Sequence, residues 1–215
     1  AVFYDGRRSL DQWYSCHSCH YNGGANSEPM DTKNDRSTLT FKTVPSLVGV
    51  THTGPWTWHG WQSDLYDAVR VSITETMLGP EPSAGDAIAT VAFLETLDDP
   101  PNPFRAADGR LSPSAERGKA VFESERAACA NCHRGARFTD GAIHDVGLGS
   151  PSDALKGFNT PSLAGLYRRT RYLHDGRAKS LEALLTGPHN PAKVSGTADL
   201  GDAERRDLIE YLKSL

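Results

Sequence analysis

Outside two five-residue stretches, this 215-residue chain has no cysteine at all. Methionine is nearly missing as well, with only Met30 and Met77. No apolar run approaches the roughly 20 residues that span a bilayer, so this segment is not inserted into a membrane. A basic excess is also lacking: the formal net charge is −4, which excludes the cationic face that nucleic acid or anionic lipid requires. No signal peptide opens the chain, so it reads as a mature product or an excised piece. What remains, 38% hydrophobic and 23% charged, describes a soluble globular protein of one large or two small domains.

The four cysteines lie in "CHSCH", Cys16 to His20, and "CANCH", Cys129 to His133. Cys-x-x-Cys-His is the attachment signature of c-type haem. Thiols about one helical turn apart can add to two vinyl groups on one edge of the porphyrin. The next histidine then reaches the iron. A redox CxxC, a structural disulfide or half a zinc site needs no histidine directly after the second cysteine, and here it occurs twice. The expectation is two covalent haems c on Cys16, Cys19, Cys129 and Cys132, with His20 and His133 as proximal iron ligands. Such attachment happens outside the bacterial cytoplasm, so the expected compartment is periplasmic or otherwise extracytoplasmic.

The order of features repeats. "AVFYDGRRSLDQWYSCHSCH" pairs with "KAVFESERAACANCH", "VPSLVGV" with "TPSLAGL", and "WHGWQSDLYDAV" with "HDGRAKSLEALL". Each copy closes on an amphipathic helix, "AIATVAFLETL" and "RRDLIEYLKSL", with apolar residues at three- and four-residue steps. Between the copies, "DDPPNPFRAADGRLSP" carries four prolines and Gly109, which break helix. A helix restarts after it, with Ser112 or Ser114 as N-cap and Pro113 near the first turn. The expected architecture is all-α: domain one at 1–100, a Pro-rich linker at 101–111, and domain two at 112–215. Each domain wraps one haem, and its first and last helices pack together. The first copy lacks the "AERGK" that precedes AVF in the second, so the chain reads as starting inside its first helix.

A second axial ligand should come from a loop well downstream of each proximal histidine. Met77 lies 57 residues after His20, and His189 lies 56 after His133; each borders a Gly-Pro step. These are the expected distal ligands. His59 and His174, 39 and 41 residues downstream, compete with them, as do His52 and His144. Met30 is too close in sequence to His20 to cross to the far face. A thioether raises the iron potential and a second imidazole lowers it, so the two centres would be unlike and electron flow would have a direction. Three of the four tryptophans cluster in "GPWTWHGW", which suits packing against a porphyrin. The turn Asp175–Gly176–Arg177 offers Arg177 to a haem propionate.

The run CxxCH, "NTPSL", "YLHDGRAKSLEALL", "GPHNP" resembles the bacterial di-haem cytochrome c peroxidases and their MauG-like relatives. The resemblance covers most of the chain and is strongest in the second half. It implies two cytochrome c-like domains with the haems near their interface, one carrying electrons and one reacting with peroxide. It also implies that Trp58 lies between the haems, that His174 and His59 sit beside the haems without ligating iron, and that calcium can bind between the domains. No acidic cluster in the sequence demands calcium. The family's distal glutamine falls at Leu184 in domain two and near Ala68 in domain one, and its glutamate falls near Val194. Acid–base help for peroxide cleavage thus has no obvious source except Glu75, whose offset differs. The expected function is electron transfer as a module of a larger or membrane-associated redox system, with a redox partner protein or fused redox domain. A peroxidase or MauG-like oxidase is the alternative, and a small-ligand sensor a third.

Overall fold

The structure, a computed structural model, describes residues 2–33, 35–37 and 39–215. Its α-helices are α1 (Cys16–Cys19), α2 (Leu65–Val71), α3 (Ala84–Glu95), α4 (Pro113–Glu123), α5 (Leu181–Thr186), α6 (Pro191–Ser195) and α7 (Asp202–Lys213). Short polar residues start most of them. At the heads of α2 to α6, the side chains of Asp64, Ser83, Ser112, Ser180 and Asn190 each accept a backbone N–H of the first turn. Ser112 caps α4 with Pro113 at its first position, while the Ser114 hydroxyl donates across to Asp207.

The expectation of an all-α fold needs one correction. Two antiparallel ladders are present: β1 (Pro29–Met30) with β2 (Lys42–Thr43), and β3 (Ile143–His144) with β4 (Phe158–Asn159). Long loops follow each CxxCH, and backbone polar groups that leave water need partners. Two-residue strands supply some of those partners. They are too short to leave a period-two signature in sequence.

Two apolar cores form. The second is built on α4 packed against α7, with Ala115, Phe122, Leu208, Tyr211 and Leu212 buried. Gly118 lets the two backbones approach: a Cβ there would lie 1.9 Å from the Asp207 carbonyl oxygen. The first core gathers Phe3, Val50, Val69, Ile73, Met77, Val91 and Leu94. Here the residues expected to continue a first α-helix form 3-10 turns, Val2–Tyr4, Gly6–Arg8 and Leu10–Gln12. Phe3 packs on Phe93 of α3 at 4.8 Å in place of a full helix. The connecting segment is tied to the end of α7, where the Asn102 amide donates to Lys213 O (3.0 Å) and Arg105 to Ser214 O (2.7 Å).

The repeat is visible in the backbone. Gly49 and Gly165, both left-handed, lead into the 3-10 turns Val50–His52 and Leu166–Arg168. Bridges Trp56–Gln62 and Tyr172–Ala178 close equivalent hairpins. The halves also exchange hydrogen bonds. Thr43 N–H of β2 donates to His174 O (2.6 Å), and Asn159 N–H of β4 donates to Trp58 O (2.9 Å). This fixes the register: Trp58 matches His174, and His59 matches Asp175. His59 and His174, nearly equivalent by sequence spacing, are therefore one residue out of step.

Candidate functional site

Each CxxCH motif opens onto a cavity. The first, about 520 Å³, is lined by Cys16, Cys19, His20 and Met77 among others. His20 Nδ1 lies 3.0 Å from the Pro45 carbonyl oxygen, which fixes the hydrogen on Nδ1 and leaves the Nε2 lone pair free. Burial pushes the His20 pKa down to about 4, so the ring is neutral, as a metal ligand must be. Burial also pushes the Cys16 thiol up to about 11, the opposite of the acidic thiol of a redox CxxC.

Met77 reaches this cavity through a local irregularity. Helix α2 runs into a π-helical turn, Ser72–Thr76, and Met77 closes it, donating N–H to Ser72 O (2.9 Å). A π-turn inserts an extra residue and rotates the residues after it about the helix axis. Met77 is thereby buried, and its carbonyl accepts from Leu10 N–H (2.9 Å) and the Tyr14 hydroxyl (3.2 Å). Met30 lines the same cavity from the attachment side, with its sulfur 3.2 Å from Cys19 Sγ.

The second cavity is narrower, about 170 Å³, and includes Cys129, Cys132, His133 and His189. His133 Nδ1 is 3.2 Å from the Phe138 carbonyl oxygen. Its pKa is pushed down to about 4 by burial and then by the nearby His189. Cys129, like Cys16, is pushed up to about 11 by burial. The His133 and His189 rings stand 6.3 Å apart, centre to centre, at 81°. His189 is held in the link between α5 and α6, where its N–H donates to Leu184 O (3.0 Å) and Asn190 caps α6. Burial lowers its pKa too. The Gly-Pro steps are used differently: Met77 precedes Gly79–Pro80, whereas His189 follows Gly187–Pro188.

The remaining candidates divide. Trp58 lines both cavities, donates from Nε1 to Thr43 O (2.7 Å) and meets the His174 ring edge-on at 6.4 Å. His59 lines the first cavity and His174 the second. Arg177 is not brought to either lining; it binds Asp175 and donates to Leu148 O (2.7 Å). Arg169 lines both instead, with burial lowering its pKa. Ala68 lines the first cavity, and Leu184 and Val194 the second, so those positions are apolar; Glu75 is exposed and lines neither. His52 is exposed, and His144 pairs with Asp140 at 2.9 Å. Cys132, Asp140 and His144 bring ligand atoms within 4.8 Å of one another.

Sequence reasoning missed Lys42, Asp35 and Asp153. Lys42 is buried between the two carboxylates, paired with Asp35 and 3.2 Å from Asp153. Charged residues in loops ordinarily face water, and nothing in the local sequence marks these three as buried.

Two thiol pairs, each followed by a neutral, half-buried histidine on a cavity wall, are the arrangement of a c-type cytochrome. The sequence model of the di-haem cytochrome c peroxidase family matches residues 107–214, half of the chain, and the chain belongs to that family. The family's cofactor is haem c with iron, and its members are oxidoreductases. Hydrazine synthase subunit gamma of Kuenenia stuttgartiensis is 28% identical over 265 aligned positions, covering 99% of this chain and 75% of that protein. The methylamine utilization protein MauG of Methylorubrum extorquens is 26% identical, covering 100% and 76%. A solved structure of Kuenenia stuttgartiensis hydrazine synthase superposes with a TM-score of 0.88 at 25% identity, over all of this chain and 85% of the other. No helix among the described residues is long and apolar enough to cross a membrane.

Proposed function

We propose that this chain is an electron-transfer cytochrome with two unlike haem centres, in domains 1–100 and 112–215 joined by a Pro-rich linker at 101–111. Cys16 and Cys19 hold the first haem, with His20 and Met77 on its iron. Cys129 and Cys132 hold the second, with His133 and His189. When bound, haem c supplies a one-electron iron couple whose potential depends on the axial donors.

The observation that carries this reading is the His133–His189 separation. Both rings line one cavity with centres 6.3 Å apart, and burial keeps both neutral, so both would be available to hold an iron bound there. In the first half, the buried Met77 shares the His20 cavity. The chain's own residues therefore offer a second donor on each side. Electrons would pass to a redox partner protein or fused domain in an extracytoplasmic compartment such as the periplasm.

A di-haem peroxidase or MauG-like oxidase is the second reading, favoured by the family itself. Steady-state peroxide turnover of the half-reduced protein separates the two. Electron transfer predicts turnover near that of free haem, and a low-spin signal from each iron in the oxidised protein. A rate many orders of magnitude higher makes the protein an enzyme.

A further inference from the structure

Between the two cavities lies a buried cluster of five ionisable groups. The side chains of Lys42, Asp35, Asp153, His59 and His174 are each no more than 6% exposed, so bulk water does not screen them. Phe158 is sandwiched by the two histidines, 4.7 Å from the His59 ring and stacked on His174 at 4.3 Å. Both Nε2 atoms approach the same carboxylate. His174 Nε2 is 3.2 Å from Asp153 Oδ2, and His59 Nε2 is 3.8 Å from Asp153 Oδ1.

The two histidines differ in what their other nitrogen does. His59 Nδ1 lies 2.9 Å from the Gly157 carbonyl oxygen. A carbonyl only accepts, so the single hydrogen of a neutral His59 sits on Nδ1. Its Nε2 then turns a lone pair toward a carboxylate oxygen. Among the described residues His59 Nε2 has no hydrogen bond, and the Asp153 Oδ1 it faces lies 3.2 Å from the Lys42 ammonium. His174 Nε2 likewise makes no hydrogen bond, although Asp153 Oδ2 lies 3.2 Å away, and burial lowers its pKa, which keeps it neutral. One ammonium against two carboxylates leaves the cluster one negative charge in excess. A proton on His59 Nε2 would cancel that charge and turn two opposed acceptors, 3.8 Å apart, into an ion pair.

We propose that His59 Nε2 is a redox-linked proton site. It binds one proton from solvent when the centre in the first cavity takes one electron from a one-electron donor, and releases it on reoxidation. The proposal rests on the reading that a haem iron occupies that cavity, whose wall includes His59. Reduction removes one positive charge from the iron, so a positive charge on the wall becomes more favourable. By linkage, the proton raises the potential by the same free energy. The groups facing the site come from every element packed on it. They are Lys42 of β2 with Asp35, Asp153 with the Ser150 N–H and hydroxyl on its Oδ2, Gly157 O before β4, and Asp175 and Arg177 beside His174.

The test is spectroelectrochemistry of the haem-loaded protein from pH 5 to pH 9. One of the two haem waves should shift to lower potential as pH rises, approaching about 59 mV for each tenfold fall in proton activity. The slope should disappear in both His59→Phe and His59→Gln, the second retaining a polar side chain toward Gly157. Two flat waves in the unmutated protein overturn the proposal and leave the electron-transfer reading intact. A slope that survives both substitutions also overturns it. If no haem wave appears, the electron-transfer reading fails and the proton site fails with it.

Discussion

Replacing Gly118 with alanine tests whether the close approach of α4 and α7 governs the second half. In an exposed helix interior this change stabilises by about 1 kcal/mol, because alanine is the better helix former. Here the added Cβ would sit 1.9 Å from Asp207 O, 2.4 Å from its carbonyl carbon and 2.9 Å from Leu208 N. All three are backbone atoms, so no side chain can swing away. Ordinary contact needs about 1.5 Å more room, which has to come from separating the helices and loosening Phe122, Leu208 and Tyr211. Overpacking of this kind costs about 1–3 kcal/mol, and more where backbone must move. A net loss of about 2 kcal/mol is expected, which lowers the melting temperature by about 4–8 °C for a chain of 215 residues. Melting of the haem-loaded protein, followed by far-UV circular dichroism, measures it. A neutral or raised melting temperature would refute the steric argument, since propensity alone predicts that sign.

Met77→Ala should lower the potential of the first centre and abolish the weak near-infrared sulfur-to-iron band of its ferric form; lack of that band in the unmutated protein removes Met77 from the iron. Acid stability should depend on Asp153. Burial alone would raise its pKa, but the Ser150 N–H and hydroxyl and Lys42 outweigh that and hold it at about 2, below the unfolded value of about 3.9. That contribution is complete above the unfolded pKa and is lost as pH falls toward 2. Urea midpoints measured at pH 5 and pH 2.5 should therefore fall less in Asp153→Asn than in the unmutated protein, and parallel falls would contradict the assignment.

Much of the frame is legible in the sequence because it is written in local signals. The two CxxCH motifs, the Pro-rich break, the Ser112–Pro113 start of α4 and the periodicity of α3 and α7 each depend on near neighbours. The candidate Met77 is legible by spacing, but the π-turn that rotates it inward is not, since no propensity marks an extra residue in a helix. Counting from the haem motifs puts His59 and His174 in register. The loops before them differ in length, whereas aligning the segments WHG and HDG sets Trp58 against His174, and the exchanged strand hydrogen bonds follow that register. The turn that carries Arg177 suggests a cavity residue, whereas its nearer partners, Asp175 and Leu148 O, hold it elsewhere. Lys42, Asp35 and Asp153 cannot be found at all from sequence. Asp153 is far along the chain from the other two, and the burial of all three exists only once the two halves close on each other.

That closure has the form of a dimer interface made within one chain. In a homodimer about a two-fold axis, the contact given by one subunit is returned identically by the other. Thr43 to His174 and Asn159 to Trp58 are such a reciprocal pair in backbone geometry, yet the side chains at these four positions differ between the copies. Lys42 stands where the other strand has Phe158, and His59 where the other turn has Asp175. A symmetric ancestor could not place a single carboxylate or a single ammonium off its axis without repeating it. Joining the copies in one polypeptide frees each side of the seam to change alone, which is how a contact between equals can become one with a donor side and an acceptor side.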